Sequence, residues 1–344
     1  MIKDRVNNKQ NQLNKIAIAL PIIIFGCIFL FFAIMFSVTQ GAASISLSTV
    51  IDAFTSFETD NPKHLLIMDM RLPRVFVAAI VGSALAVSGA IMQGLTRNPL
   101  ADSGLMGLSS GAALAIAICF AFIDNISYTQ MVLMSFIGAG IGASSVYIIS
   151  SAIAGGNSSM KLILAGATVT ALFSALSQGI SIIANVTQNV TFWTMGSVAG
   201  SQWKHVSIGV PIITIAIILA IIISGKITIM SIGEEIAIGL GLNTKAVKFF
   251  GTVIVVLLAG TSVALAGMIT FVGMLIPHFA RFLVGKDYRL IIPVSAVLGS
   301  ILLVLADIGS KTINPPAEIP IGAIISLLGV PVFLYLARKK KGGI

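Results

Sequence analysis

Ten predominantly apolar stretches recur along the chain, at 16–38, 75–95, 105–123, 131–153, 162–184, 206–224, 247–268, 271–284, 290–309 and 319–337. About 20 apolar residues in a helix cross the hydrocarbon core of a bilayer. Inside lipid each segment must satisfy its own backbone polar groups, and a helix does so. The series therefore predicts an all-α polytopic membrane protein of about ten transmembrane helices, with the third and eighth stretches short or glycine-rich. Composition agrees. Of the 344 residues 57% are hydrophobic and 10% charged, whereas a soluble domain carries about a quarter charged residues. A water-soluble enzyme, a nucleic-acid binder and a disordered tail are poor readings of such a chain.

The first stretch follows Lys3, Arg5, Lys9 and Lys15 and so imitates a secretory signal. A signal's apolar region covers only about 7–15 residues, so 16–38 reads as a permanent first helix. The net charge of +9 sets orientation. With the N-terminus inside and ten alternating spans, sixteen of the 21 basic residues fall inside and five outside, as the positive-inside rule requires. An even number of spans keeps both basic termini cytoplasmic. The expected organisation is a cytoplasmic segment 1–15, one membrane domain 16–337 with an inside loop at 225–248, and a basic tail 338–344.

None of the twelve acidic residues lies near the middle of an expected span; Asp307 and Glu318 sit near the outer ends of the last two. Carriers that couple to protons or ions keep ionisable groups at membrane depth, so secondary transport is disfavoured. The chain has no G-x-x-x-x-G-K-[ST] phosphate loop either. Cys27 and Cys119 lie in apolar runs and read as small lipid-buried or packed hydrophobes. His64, His205 and His278 are scattered, so neither a metal site nor a membrane-embedded catalytic constellation is expected. Small residues four apart (Gly82/Ala86, Gly107/Gly111, Gly138/Gly142, Gly196/Gly200) read as close helix packing.

Three polar segments carry more. Met70-Arg71-Leu72-Pro73-Arg74 lies outside the second span, with Pro73 suited to a helix's first turn and both arginines on one side of it. Such a pair either anchors to headgroups or meets carboxylates of an extracytoplasmic partner. The inside stretch from Gly225 to Lys248 contains Glu234 and Glu235, suited to a helix start, and Gly241, suited to its stop. Its apolar Ile236, Ile238, Leu240 and Leu242 fit a docking knob for a cytoplasmic partner. Arg97-Asn98-Pro99-Leu100-Ala101-Asp102-Ser103-Gly104 is a tight inside turn, with Asp102 or Ser103 able to cap the next helix.

Together these segments resemble the FecCD family, permease subunits of ATP-driven importers for ferric siderophores, haem and vitamin B12. The matching stretches run from Arg71 to Ala115 and from Gly233 to Asn243, then as GMITFVGMLIPHFARFLVG from Gly267 and PPAEIPIGAIISLLGVPVFLYL from Pro315. The resemblance implies a fold like that of the vitamin B12 importer's permease. It implies a dimer with itself or a close relative, two ATPase subunits below that hold ATP-Mg, and a substrate-binding protein above. This subunit would be no enzyme, hold no cofactor or metal, and reside in the bacterial cell membrane. The resemblance carries docking of the binding protein to Arg71, Arg74 and Lys311. It carries ATPase coupling to Glu234, Glu235, Leu240 and Gly241, and the cytoplasmic gate to Asn98, Pro99 and Leu100. His278, after Pro277, reads as a helix-start and packing residue. The implied substrate is an iron-siderophore complex, with haem or cobalamin as alternatives, passing through a cavity of small and apolar residues.

Overall fold

A computed structural model describes residues 2–41, 43, 45–152 and 159–339. In chain order its helices are α1 (Ile2–Thr39), α2 (Leu47–Thr55), α3 (Pro62–Leu65), α4 (Leu72–Thr96), α5 (Leu108–Phe122), α6 (Tyr128–Ala152) and α7 (Ser159–Ile183). They continue as α8 (Thr187–Thr194), α9 (Trp203–Ile232), α10 (Glu234–Gly239), α11 (Thr244–Ala266), α12 (Val272–Val284), α13 (Tyr288–Thr312) and α14 (Ile321–Lys339). Among the described residues there is no strand.

Each of the ten apolar runs falls on a helix. Among the described residues seven helical segments are long and apolar enough to cross a membrane, and Leu108–Phe122, Val272–Val284 and Ile321–Tyr335 are shorter apolar helices. Of the basic tail expected at 338–344, residues 340–344 lie outside the described residues.

The bundle is built around α4. Of the apolar window in its segment 89% is buried, against 11% for the peripheral α1, and α4 packs against α13, α11, α9 and α12. Small residues make this possible. A Cβ on Gly82 would strike the carbonyl oxygen of Gly299 on α13, and one on Gly89 would strike Gly273 on α12. Gly111 meets Gly138, and Gly107 meets Gly142, where α5 lies on α6. Lipid offers no hydrophobic drive between helices, so dispersion across such contacts holds them together. Three of the four small-residue pairs thus serve helix packing. The fourth does not: Gly196 and Gly200 lie in the turn between α8 and α9, against the Met268 carbonyl and the Tyr128 ring.

Several local expectations are corrected. Pro73 lies in the first turn of α4, as expected, but that turn does not start from solvent, because Pro62–Thr96 is one helical run. Its missing N–H falls instead after a π-helical turn, Leu66–Arg71, in which the Leu72 N–H reaches back five residues to the Ile67 carbonyl. A proline removes one i→i−4 bond and crowds that carbonyl, and a widened turn accommodates both. The loop expected at 225–248 is shorter, since α9 continues to Ile232 and α11 begins at Thr244. His278 sits mid-way along α12, whose first residue is Val272. The short helices α2 and α8 occupy stretches read as connections.

Candidate functional site

At the α13-terminal end of the bundle the three predicted docking cations converge. Arg74 Nε donates to Asp307 Oδ1 and its Nη1 to Glu318 Oε1, both at 2.7 Å. Lys311 Nζ lies 2.9 Å from Asp307 Oδ2 and donates to the Ser37 carbonyl and hydroxyl at 3.1 and 2.9 Å. Arg71 donates to the carbonyls of Val38 and Ala43, and Gly41, at φ +146°, leaves room for its guanidinium. All three cations are buried, as is Asp307, while the side chain of Glu318 is 40% exposed. The cluster therefore staples α1, α4, α13 and the approach to α14. Its three cations and two carboxylates leave one positive charge. Arg74 Nη2 is buried without a hydrogen-bond partner, a costly state for a charged donor.

At the far end of α4, about 37 Å away by helical rise, lies the predicted gate turn. Asn98 Oδ1 accepts from the Leu100 N–H and its carbonyl from the Ala101 N–H, both at 3.1 Å. The Asn-Pro turn chemistry thus closes locally. Asp102 caps the short helical turn Ser103–Met106. Its apolar surroundings push the carboxyl up from the ordinary carboxylate range, against the opposing pull of the Ser103 N–H.

The predicted coupling segment shares this end. A cavity of about 180 Å³ is lined by Gln93, Arg97, Pro99, Ser231, Arg281, Lys286 and Tyr288, so it joins the gate turn to the end of α9. Three residues beyond Ser231, α10 begins at Glu234, which pairs with Lys248 at 2.6 Å. Gly241, at φ +78°, turns the chain toward α11 in a conformation that favours glycine. Ala237 is buried, whereas Ile236, Ile238 and Leu240 are 51%, 59% and 67% exposed. The sequence forecast of a short helix followed by a glycine turn matches this local structure.

A third feature was not foreseen. A cavity of about 440 Å³ lies among α5, α7 and α8, lined by Ser110, Ser174, Ser177, Gln178, Ser181, Thr187, Thr191 and Thr194 together with a few apolar residues. It carries no ionisable side chain. The signal was present in the sequence. Ser174, Ser177, Gln178 and Ser181 recur at i, i+3, i+4 and i+7, which makes one polar stripe on an otherwise apolar helix.

The comparisons with known proteins fit this geometry. The family model for the FecCD transport family matches residues 27–339. The chain belongs to the FecCD transport family. It is 47% identical over 326 residues to the iron(3+)-hydroxamate import system permease protein FhuB of Bacillus subtilis, covering 95% of this chain and 85% of that one. It is 35% identical over 309 residues to the hemin transport system permease protein HmuU of Yersinia pestis, covering 89% and 91%. A metal-chelate-type ABC transporter solved in an inward-facing conformation superposes with a TM-score of 0.81 at 27% identity, covering 93% of this chain and 99% of that one. The protein is accordingly a multi-pass membrane permease subunit of the ATP-binding-cassette class.

Proposed function

We propose that this permease imports an iron-siderophore complex, and the observation that carries the reading is the uncharged, hydroxyl-lined cavity among α5, α7 and α8. A chelate whose iron is wrapped in oxygen ligands presents hydrogen-bond acceptors and little bare charge. Five of the seven lining hydroxyls already donate to backbone carbonyls, so the wall holds such a surface only weakly, and conduction needs release as well as entry. The similarity to a ferric-hydroxamate permease points the same way. Haem is the second reading, favoured by the hemin permease among the relatives.

In this reading the chain spans the bacterial cell membrane ten times with both termini cytoplasmic. It pairs with itself or a close relative and binds two ATPase subunits, which hold ATP-Mg, while the permease needs no cofactor. The ATPase seats on α10 through Ile236, Ile238 and Leu240, with Glu234, Glu235 and Gly241 shaping that element. Movement of α10, passed through the end of α9, opens the Asn98–Leu100 turn. A loaded binding protein docks at the Arg71, Arg74 and Lys311 end. These cations are buried and already paired, so docking proceeds by exchange: a partner carboxylate displaces the exposed Glu318 from Arg74 and also meets the unpartnered Nη2.

The test is uptake of labelled ferric trihydroxamate, haem and cobalamin by cells with and without this chain, each with and without ATP depletion. ATP-dependent uptake of the iron chelate should vanish with the chain. Loss of haem uptake alone would establish the second reading. Uptake that persists under ATP depletion and collapses with a protonophore would refute the ATP-driven mechanism.

A further inference from the structure

The 180 Å³ cavity between the gate turn and the end of α9 has a chemistry that the proposed transport does not use. Arg97, Arg281 and Lys286 line it, and no acidic residue does. The Arg281 guanidinium is held in place: its Nη2 donates to Gln93 Oε1 at 2.9 Å and to the Tyr288 hydroxyl oxygen at 3.2 Å. Gln93 is itself fixed, since its Nε2 donates to the carbonyls of Gly273 and Met274 at 3.3 and 3.2 Å. Because the Tyr288 oxygen accepts from Arg281, its own proton is left for an acceptor in the cavity. Asp287, adjacent in sequence to Lys286, is engaged by the Thr228 hydroxyl and the Arg289 N–H, both at 3.0 Å. Among the described residues, neither Arg97 nor Lys286 has an ion-pair partner.

A second, independent observation concerns the backbone. Arg97 closes α4 in the left-handed region, at φ 55° and ψ 27°. Glycine is the usual residue at such a helix end because a Cβ is strained there. An arginine kept in that conformation carries a guanidinium to the cavity wall at the expense of backbone comfort, and such outliers gather at functional positions.

We propose that this cavity binds a phosphate group, supplied by the headgroup of an anionic phospholipid or by a soluble phosphate ester. Two guanidiniums offer paired N–H donors that match tetrahedral oxyanion geometry, Lys286 adds a point charge, and the Tyr288 hydroxyl supplies a directional donor. Basic pockets between helices at a cytoplasmic membrane surface suit lipid headgroups. Phe279 and Phe282, three residues apart on α12, are exposed and offer an apolar surface for acyl chains. The site does not depend on which chelate is transported.

The full-length chain in phosphatidylcholine nanodiscs is titrated with phosphatidylglycerol, read by native mass spectrometry, and separately with inorganic phosphate, read by calorimetry. Binding of phosphatidylglycerol alone assigns the lipid source, and binding of inorganic phosphate assigns the soluble one. Arg97→Gly and Lys286→Gln should each weaken binding about fivefold, as expected for one basic residue facing an anionic group. Arg97→Gly relieves the left-handed strain, so its melting temperature should not fall, which separates lost binding from lost folding. Arg97→Lys should recover most of the affinity. The proposal is overturned if neither probe binds, or if both variants bind as the wild type does.

Discussion

Asp102 closes the turn after α4, where its Oδ1 accepts from the Ser103 N–H at 2.8 Å. Across the turn is Gly273, on which any Cβ would strike that same oxygen. The role is a helix cap, for which an amide oxygen serves as well as a carboxylate. Burial raises the folded-state pKa of this carboxyl above its ordinary value, so the fold prefers the protonated acid. Its favourable contribution is then full below the unfolded value and is lost as pH rises through the raised folded one. Asp102→Asn keeps the accepting oxygen without the charge. Its melting temperature should match or exceed that of wild type, with a gap that widens as pH rises above the ordinary carboxylate range. Asp102→Ala should cost about 1 kcal/mol through the lost cap. A gap that narrows with rising pH would contradict this account. The cap was legible in the sequence because Asp-Ser-Gly turn chemistry is local. The neighbour that desolvates Asp102, Gly273, is distant in sequence and was not.

At the scale of elements, α10 shows what periodicity conveys and what it does not. Two glutamates, an apolar run and a glycine read correctly as a short helix and its stop. Yet the pattern alone did not tell that Ala237 faces inward while Ile236, Ile238 and Leu240 face out. An exposed apolar trio at a helix–turn element implies a partner surface, and its side chains contribute little to the isolated fold. Ile236→Ser with Leu240→Ser should leave the melting temperature of the permease nearly unchanged, within about 0.5 kcal/mol in stability, while abolishing co-purification with the ATPase. Retained co-purification would place the coupling surface elsewhere. The long helices were legible because a span needs a run of fixed length. Glycine pairs foretold their contacts because only glycine allows carbonyl-to-Cα approach in lipid. The short α2 and α8 escaped notice, since eight or nine residues of mixed polarity fall below any span criterion. The hydroxyl stripe of α7 had the right period but was passed over inside an apolar run.

For the whole molecule, the cluster around Asp307 decides how its two ends differ. Arg74 and Asp307 are 233 positions apart in the chain, so no local pattern announces that two arginines expected to face outward are instead drawn into the bundle. Removing Asp307, fully buried between two cations, would leave uncompensated charge, which typically costs about 3–5 kcal/mol. Glu318 is different, being part-exposed and bound to one nitrogen of Arg74. It is the member an arriving carboxylate can replace at little cost to the staple. Glu318→Gln would raise the net charge of the cluster by one while leaving Asp307 with both its partners. An acidic binding protein should then dock about fivefold more tightly, the equivalent of ~1 kcal/mol for a part-exposed pair. The gain should appear mainly in the association rate and shrink as salt screens it. Docking measured by surface plasmon resonance on the reconstituted permease, at low and at physiological salt, distinguishes the two outcomes. Unchanged or weaker docking of Glu318→Gln would mean that the cluster only holds α1, α4 and α13 together, and that the binding protein is met by other residues.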